Sequence, residues 1–332
     1  MPTPPLPGSG RAAYMRRRKI KRIVLFASLI IVIVLLMLAA ILLAMNIAQA
    51  SDNNPDDTTT DTSGSTTDNS PSTHDGYTAF MYDSSKAAEG PLVLVNKSHK
   101  YIFPSTMAGL SDIRASRNKN TDGNYSYSCE YDKLMDADAL RAFNSMMDAF
   151  YAATGNGYAL VTAAYRTAEE QDALGLDTKG GYSDHHTGCL VTLKFYMDGI
   201  MYSTSDSKFA ESYSWLAEHA AEYGFVVRYP DNKVSITGVS NYSNAYRYVG
   251  IPHAAYMKSN NLCMEEYIEL LQSHNLSDSH LSSTDSQGNT YEIYRIPMSS
   301  SAQTSVQVPE GKQYSISGDN NGGLIVAVNV TK

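Results

Sequence analysis

The sequence predicts an α+β domain carried outside a membrane, and three observations support this. Residues Ile23 to Met45 form an uncharged apolar run. Beyond Asp136, stretches with helical spacing alternate with short runs of strand character. From Tyr291 to Val330 the chain alternates Tyr, Ile, Val and Thr with Gly and Pro punctuation, the pattern of several short strands.

The apolar run is 23 residues long, and a bilayer-spanning helix needs about 20. Before it stand Arg11, Arg16, Arg17, Arg18, Lys19, Lys21 and Arg22 with no acid; such a basic flank stays in the cytoplasm. A cleaved signal peptide is the rival reading, because Ala48-Gln49-Ala50 resembles a cleavage site. A signal's apolar core is only about 7–15 residues, however, so the expectation is an uncleaved single-pass anchor. Residues 1–22 are then a basic cytoplasmic tail and 23–45 a transmembrane helix in the cell membrane, with the C-terminal domain extracytoplasmic. Residues 46–77, built of Ser, Thr, Asp, Asn and Pro, bury too little surface to offset their ordering entropy and form a disordered linker. About 250 residues remain, enough for a full core, read as a domain over 78–285 and a β-rich extension over 286–332.

Within the domain, Asp136 to Ala153 carries Leu140, Phe143, Met147 and Phe150 on one helix face, with Asp136 placed to cap the start and Gly155 beyond the end. Tyr158 to Tyr165 reads as a short buried strand that delivers Arg166 at its end. Gly188 to Phe195 reads as another, with Cys189, Val191, Leu193 and Phe195 on one side and Leu190, Thr192 and Lys194 on the other. Ser212 to Tyr223 is helical and stopped by Gly224. Ile316 to Val326 reads as two strands around an Asp319–Asn321 turn; a calcium loop is the less common reading of such Gly- and Asn-rich chemistry.

Composition excludes some functions. Seven of the 26 basic residues precede the apolar run and all 34 acids follow it, so 19 cations face 34 anions outside. A nucleic-acid partner needs basic patches and is disfavoured. Three cysteines, Cys129, Cys189 and Cys263, allow at most one internal disulfide and imply no disulfide scaffold.

Two motifs carry the chemistry: Tyr182-Ser183-Asp184-His185-His186-Thr187-Gly188-Cys189-Leu190-Val191-Thr192, and Tyr242-Ser243-Asn244-Ala245-Tyr246-Arg247-Tyr248-Val249-Gly250. They resemble the Ser-x-His-x-x-Gly-x-Ala-x-Asp and Glu-x-x-His motifs, with Arg-Tyr-Val-Gly behind, of VanY-type D-alanyl-D-alanine carboxypeptidases, zinc peptidases of the M15 kind that trim peptidoglycan stem peptides. Leu92 to Lys97 resembles the family's first strand, Ala164-Tyr165-Arg166-Thr167 with Glu170-Gln171 its Gly-Tyr-Arg-Ser and Gln segment, and Glu265-Glu266-Tyr267 its closing helix. The resemblance spans roughly Pro91 to Leu271 and implies an α+β fold in which helices flank an antiparallel sheet.

On the same alignment most of the metal chemistry is missing. His185 is the one family ligand kept; the ligand Asp falls on Thr192, the last ligand His on Ala245 and the catalytic Glu on Tyr242. A catalytic zinc takes three protein ligands and leaves a position for water, and the family's Glu serves as general base. Disturbing the partners behind zinc ligands already costs about 10–100-fold and a general base is worth about 10²–10⁴-fold, so no catalytic residue is expected to be intact and no zinc cofactor is expected. His186, Cys189 and His253 are the candidates for a rearranged site; adjacent on an extended segment, His185 and His186 would point apart. Substrate-binding positions match better. Arg166 and Ser183 stand where the family holds the peptide's terminal carboxylate, and Gln171 and Arg247 also match. The resemblance thus implies an extracytoplasmic, membrane-anchored pseudoenzyme that binds a peptidoglycan stem peptide or a cell-wall protein. The alternatives are an active zinc D,D-carboxypeptidase with a rebuilt metal site and an envelope scaffold whose pocket is vestigial.

Overall fold

The computed structural model describes residues 74–104, 109–121, 123–204 and 206–331. The expected transmembrane helix, the basic tail and nearly all of the linker lie outside them. Among the described residues no helix is long and apolar enough to cross a membrane.

In chain order the elements are β1 (Tyr77–Asp83), β2 (Leu110–Asp112), β3 (Ser128–Cys129), β4 (Leu134–Asp136), α1 (Ala137–Thr154), β5 (Ala159–Ala163), α2 (Ala168–Ala173), β6 (Leu190–Met197) and β7 (Ile200–Tyr202). There follow α3 (Ala210–His219), β8 (Phe225–Val227), α4 (Val234–Thr237), β9 (Ala245–Tyr248), α5 (Ile251–Ser259) and α6 (Met264–Leu271). The last five are strands: β10 (Leu281–Thr284), β11 (Thr290–Pro297), β12 (Gln303–Pro309), β13 (Tyr314–Gly318) and β14 (Gly323–Asn329).

The expected helix is α1, and its ends are chemically specified. The Asp136 carboxylate accepts from the Asp138 and Ala139 amides, and Gly155 closes the last turn with φ 65°, a left-handed conformation that favours glycine. Its apolar face, including Leu140, Phe143, Met147 and Phe150, packs on Val161, Val191, Leu193, Phe195 and Phe225. Burying each of these large side chains stabilises the fold by about 1.5–3 kcal/mol.

The sheet beneath α1 has the order β3-β5-β6-β9-β8, with β7 paired to β6. Its pairings are antiparallel except at the edge, where β3 runs parallel to β5. The wholly antiparallel sheet implied by the family resemblance is corrected there: β3 reaches β5 through α1, and such a crossover returns the chain in the same direction. Two further expectations change. Leu92 to Lys97 is not a strand, because its backbone is bonded by partners outside any ladder: Leu92 N donates to Ser317 Oγ, Leu94 N to the Asp319 carbonyl, and arginine side chains donate to the Pro91, Val93 and Val95 carbonyls. His185 and His186 sit in a 3₁₀ turn, Asp184–Thr187, rather than on extended chain.

The C-terminal strands form a sheet of order β10-β11-β14-β13, and β1 pairs along its length with β12. β14 is buried on both faces, which explains its unbroken apolar sequence. Ile325 and Ala327 join a core with Leu92, Leu94, Met257 and Ile268, while Leu324, Val326 and Val328 join Tyr294, Val306 and Val308. The sheet therefore shares a core with α5 and α6, and it begins at Leu281, before the expected boundary at 286. The Asp319–Asn321 segment is the turn between β13 and β14; Asp319 accepts from the Asn321 and Gly323 amides and pairs with Arg295. All three cysteines are buried thiols.

Candidate ligand-binding cleft

Three short segments converge on one cleft. The first follows β5, where Tyr165 N donates to the Leu134 carbonyl and Thr167 caps α2 through a reciprocal box with Glu170. Arg166 is held between these two fixed points. Its Nη1 donates to Gln171 Oε1 at 3.0 Å, and Gln171 Nε2 donates to the Thr178 carbonyl at 2.9 Å. Among the described residues no carboxylate forms an ion pair with Arg166, which leaves most of its guanidinium N–H groups for a ligand.

The second segment is the turn that holds Ser183 to Gly188. Gly188 has φ 72°, a left-handed conformation that favours glycine, and a Cβ there would stand 2.8 Å from Leu110 Cδ2, which would have to move aside. Beneath the turn lies a buried ionic network. The Asp184 carboxylate accepts from Arg228 Nε at 2.5 Å and from Arg247 Nη1; Arg228 also meets Glu265 at 2.8 and 3.0 Å. Burial works against ionising Glu265, but the Arg228 charge and hydrogen bonds win and hold its carboxyl below the ordinary range. Burial likewise opposes the charge on Arg228, and Asp184 reverses that, raising its pKa.

Arg247 is therefore not brought to the cleft. It is fully buried, tied to Asp184 and to the Pro91 and Val93 carbonyls, and acts as a brace. His186 is a second brace. Its Nε2 accepts from the Gly181 amide at 2.9 Å, so its Nδ1 carries the proton donated to the Arg166 carbonyl at 2.7 Å. Burial lowers its pKa, which keeps it in this neutral tautomer.

The third segment carries Tyr242. Its hydroxyl lies 2.9 Å from His185 Nε2 and 2.7 Å from Thr192 Oγ1, and its ring stacks on Tyr229 at 5.5 Å and 15°. Thr192 on β6 pairs directly with Ala245 on β9. The four positions aligned with the family's metal chemistry thus do come together, with the Tyr242 hydroxyl bonding His185 and Thr192. His185 is buried and its pKa falls to about 3, first through desolvation and then through the Arg166 charge. Its Nδ1 makes no well-formed hydrogen bond, although the Ala164 carbonyl lies close enough to oppose that shift.

These residues do not fit a zinc ion. One neutral histidine already bonded to Tyr242, a neutral threonine hydroxyl and an alanine methyl offer one good donor where three are needed. The alternative donors do not assemble either. His186 is committed on both ring nitrogens, while Cys189 and His253 line a separate cavity of about 520 Å³. His253 is buried with its Nδ1 bonded to the Tyr267 hydroxyl at 2.7 Å. Among the described residues no three His, Cys, Asp or Glu side chains are grouped to hold a metal.

The cleft itself encloses about 780 Å³ and is lined by Arg166, Gln171, Ser183, His185, Tyr229 and Tyr242, with Lys97 and Lys179 also on its wall. Three of the four expected substrate-binding residues are there. The sequence reading missed Asp184, Arg228 and Glu265 as a unit, as well as the stacked Tyr229. A charged residue inside the apolar run Val226-Val227-Arg228-Tyr229 was the signal available.

The profile of the VanY D-alanyl-D-alanine carboxypeptidase family matches residues 132–251, a stretch that holds both motifs and every strand of this sheet but the edge strand β3. The domain belongs to the VanY D-alanyl-D-alanine carboxypeptidase family. The VanY domain resembles a D-alanyl-D-alanine carboxypeptidase of Enterococcus faecium, 32% identical over 180 residues, covering 52% of this chain and 55% of that protein. It also resembles one of Enterococcus faecalis (strain ATCC 700802 / V583), 34% identical over 169 residues, covering 43% of this chain and 60% of that protein. The chain thus spans little more than half the length of these relatives. The vancomycin resistance D,D-dipeptidase VanXYg, solved in complex with a D-Ala-D-Ala phosphinate analog, shares the fold: TM-score 0.63 and 23% identity, over 76% of this chain and 99% of that one.

Proposed function

We propose that this protein is an exported, membrane-tethered member of the family that binds D-alanine-ended peptidoglycan stem peptides without cleaving them. The tether is the Ile23–Met45 run with its basic flank. The observation that carries the reading is the contrast within one cleft. The Arg166–Gln171 pair and Ser183 stay open to a ligand, while the Tyr242 hydroxyl closes His185 and Thr192 on each other. A guanidinium fork binds a terminal carboxylate through two parallel hydrogen bonds and needs no metal to do so. Hydrolysis, by contrast, needs a water activated by a base or metal, and His185, its Nε2 held by the Tyr242 hydroxyl and its basicity lowered by burial, is a poor base.

The test uses the full chain in detergent micelles: calorimetric titration with a peptide ending in D-Ala-D-Ala, zinc analysis after equilibration, and an assay for released D-alanine. Binding with no release and far less than one zinc per chain is the expected result. One tightly held zinc with chelator-sensitive release would replace this reading with that of an active peptidase. Absence of binding would leave an envelope scaffold.

A further inference from the structure

The cleft that the Proposed function assigns to a stem peptide has a charge balance that a single carboxylate does not satisfy. Its wall carries three cations, Lys97, Arg166 and Lys179, against one acid, Asp177. None of the three cations is in an ion pair among the described residues. Lys179 Nζ donates only to the Leu176 carbonyl, at 3.0 Å, and Arg166 spends one N–H on Gln171. This excess of positive charge stands in a chain whose formal net charge is −8.

The cations come from different parts of the chain. Arg166 is half-buried at the end of β5, Lys97 is exposed on the loop after Leu92–Val95, and Lys179 is exposed on the loop that leads to Ser183. A terminal carboxylate seated on Arg166 and Ser183 uses the half-buried cation and leaves the two exposed lysines, one on each loop, with Asp177 as the single acid on the cleft wall. Like charges brought to one cavity without partners repel, and a ligand that brings a second negative charge relieves that repulsion.

Resting on the reading of the cleft as a stem-peptide site, we infer that its ligand is a dianionic peptide. The terminal carboxylate is held by Arg166 and Ser183, and a second acidic side chain nearer the peptide's N-terminus is held by Lys97 and Lys179. A peptide whose acid has been amidated is therefore discriminated against, and the selection is made by exposed lysines rather than by the buried residues.

The experiment is a double-mutant cycle between ligand and protein. The full chain and its Lys97→Ala/Lys179→Ala variant are titrated with acetyl-Glu-Lys(acetyl)-D-Ala-D-Ala and with the same peptide carrying Gln in place of Glu. For the natural chain the Glu peptide is expected to bind about fivefold more tightly, the scale of exposed ion pairs, and the variant should not distinguish the two. Equal affinity of the natural chain for both peptides would overturn the dianion assignment while leaving stem-peptide binding in place. Preference for Glu that persists in the double variant would overturn the role of the lysines. Failure of either peptide to bind the natural chain would remove both this inference and the function it rests on. Because both lysines are exposed, the variant retains the fold, and thermal unfolding checks that it does.

Discussion

At the scale of single residues, the cleft is governed by two side chains with opposite roles. Arg166 is a donor held ready by Gln171. Arg166→Lys keeps the charge but removes the planar fork, so affinity for a D-Ala-D-Ala-ended peptide is expected to fall by about tenfold or more, with the unfolding temperature unchanged; undiminished calorimetric affinity would show that the carboxylate sits elsewhere. Tyr242 instead completes a polar trio with the buried His185 and Thr192. Removing its hydroxyl strands His185 Nε2 and Thr192 Oγ1, and a stranded buried polar atom costs about 1–3 kcal/mol. Tyr242→Phe should lower stability by that amount in a denaturant titration, and a neutral result would mean that water reaches both atoms. The assignment of roles was partly legible beforehand. The Thr, Tyr and Ala at the metal positions were visible in the sequence, but that the tyrosine hydroxyl would bond both remaining polar groups depends on the 15° stacking of Tyr242 on Tyr229, which no local signal specifies.

At the scale of elements, the structure rests on a cap and on a network. Asp136 caps α1 through two amides, a signal read directly from sequence spacing, and Asp136→Ala should cost about 1 kcal/mol. Asp184 is different. Its carboxylate joins Arg228 and Arg247 beneath the 3₁₀ turn and, through Arg228, reaches Glu265 on α6. Replacing it with Asn would leave two buried guanidinium groups short of their counter-charge, a loss of about 3–5 kcal/mol. We expect Asp184→Asn to unfold at far lower denaturant concentration and to lose peptide binding as the turn carrying Ser183 relaxes; stability within 1 kcal/mol of the parent, or about the cost of one exposed pair, would show the network to be dispensable. Helix ends were readable because capping is local, whereas these four charged residues lie up to 81 residues apart, from Asp184 to Glu265, and only the tertiary fold brings them together.

For the whole molecule, pH and metal are the informative variables. Burial lowers the pKa of His185 and of His253 to about 3 each in the folded state, while an unfolded histidine titrates near 6.5. Both groups are neutral in either state above that value, so the full stability is present there. As pH falls below about 6.5 the unfolded chain takes up protons that the folded one refuses, and stability drops by about 1.4 kcal/mol per pH unit for each histidine. Glu265, with its pKa lowered in the folded state, adds a further loss only below about pH 4.3. Denaturant titrations of the full chain at pH 7 and pH 5 should therefore show a clear decrease; a flat profile would mean that these histidines are accessible to protons in the folded state. Metal gives the complementary test. The variant Thr192→Asp/Tyr242→Glu/Ala245→His restores the family's donors around His185 on the β6–β9 register. It is expected to bind one zinc per chain where the natural sequence binds far less, and a zinc-free variant would show that the cleft has changed in more than its side chains.

What the sequence by itself determined were the features whose causes are local or periodic: α1 and its caps, β5 and β6, the stop at Gly224, the β13–β14 turn and the motif frame with its altered ligand positions. Its motif spacing also carried the resemblance to the VanY family, which the match over residues 132–251 bears out. The tertiary structure alone decided three things. The Leu92–Lys97 segment is apolar enough for a strand, yet its backbone is bonded by arginine, serine and turn partners distant in sequence. The edge strand β3 runs parallel because of where the α1 crossover returns the chain. Arg247, beside a motif that implies ligand contact, is drawn into the core by Asp184. In the first and third cases the deciding partner is a charged or hydrogen-bonding group far along the chain, and a buried polar group takes its structure from whichever partner satisfies it; in the second it is the path of the crossover.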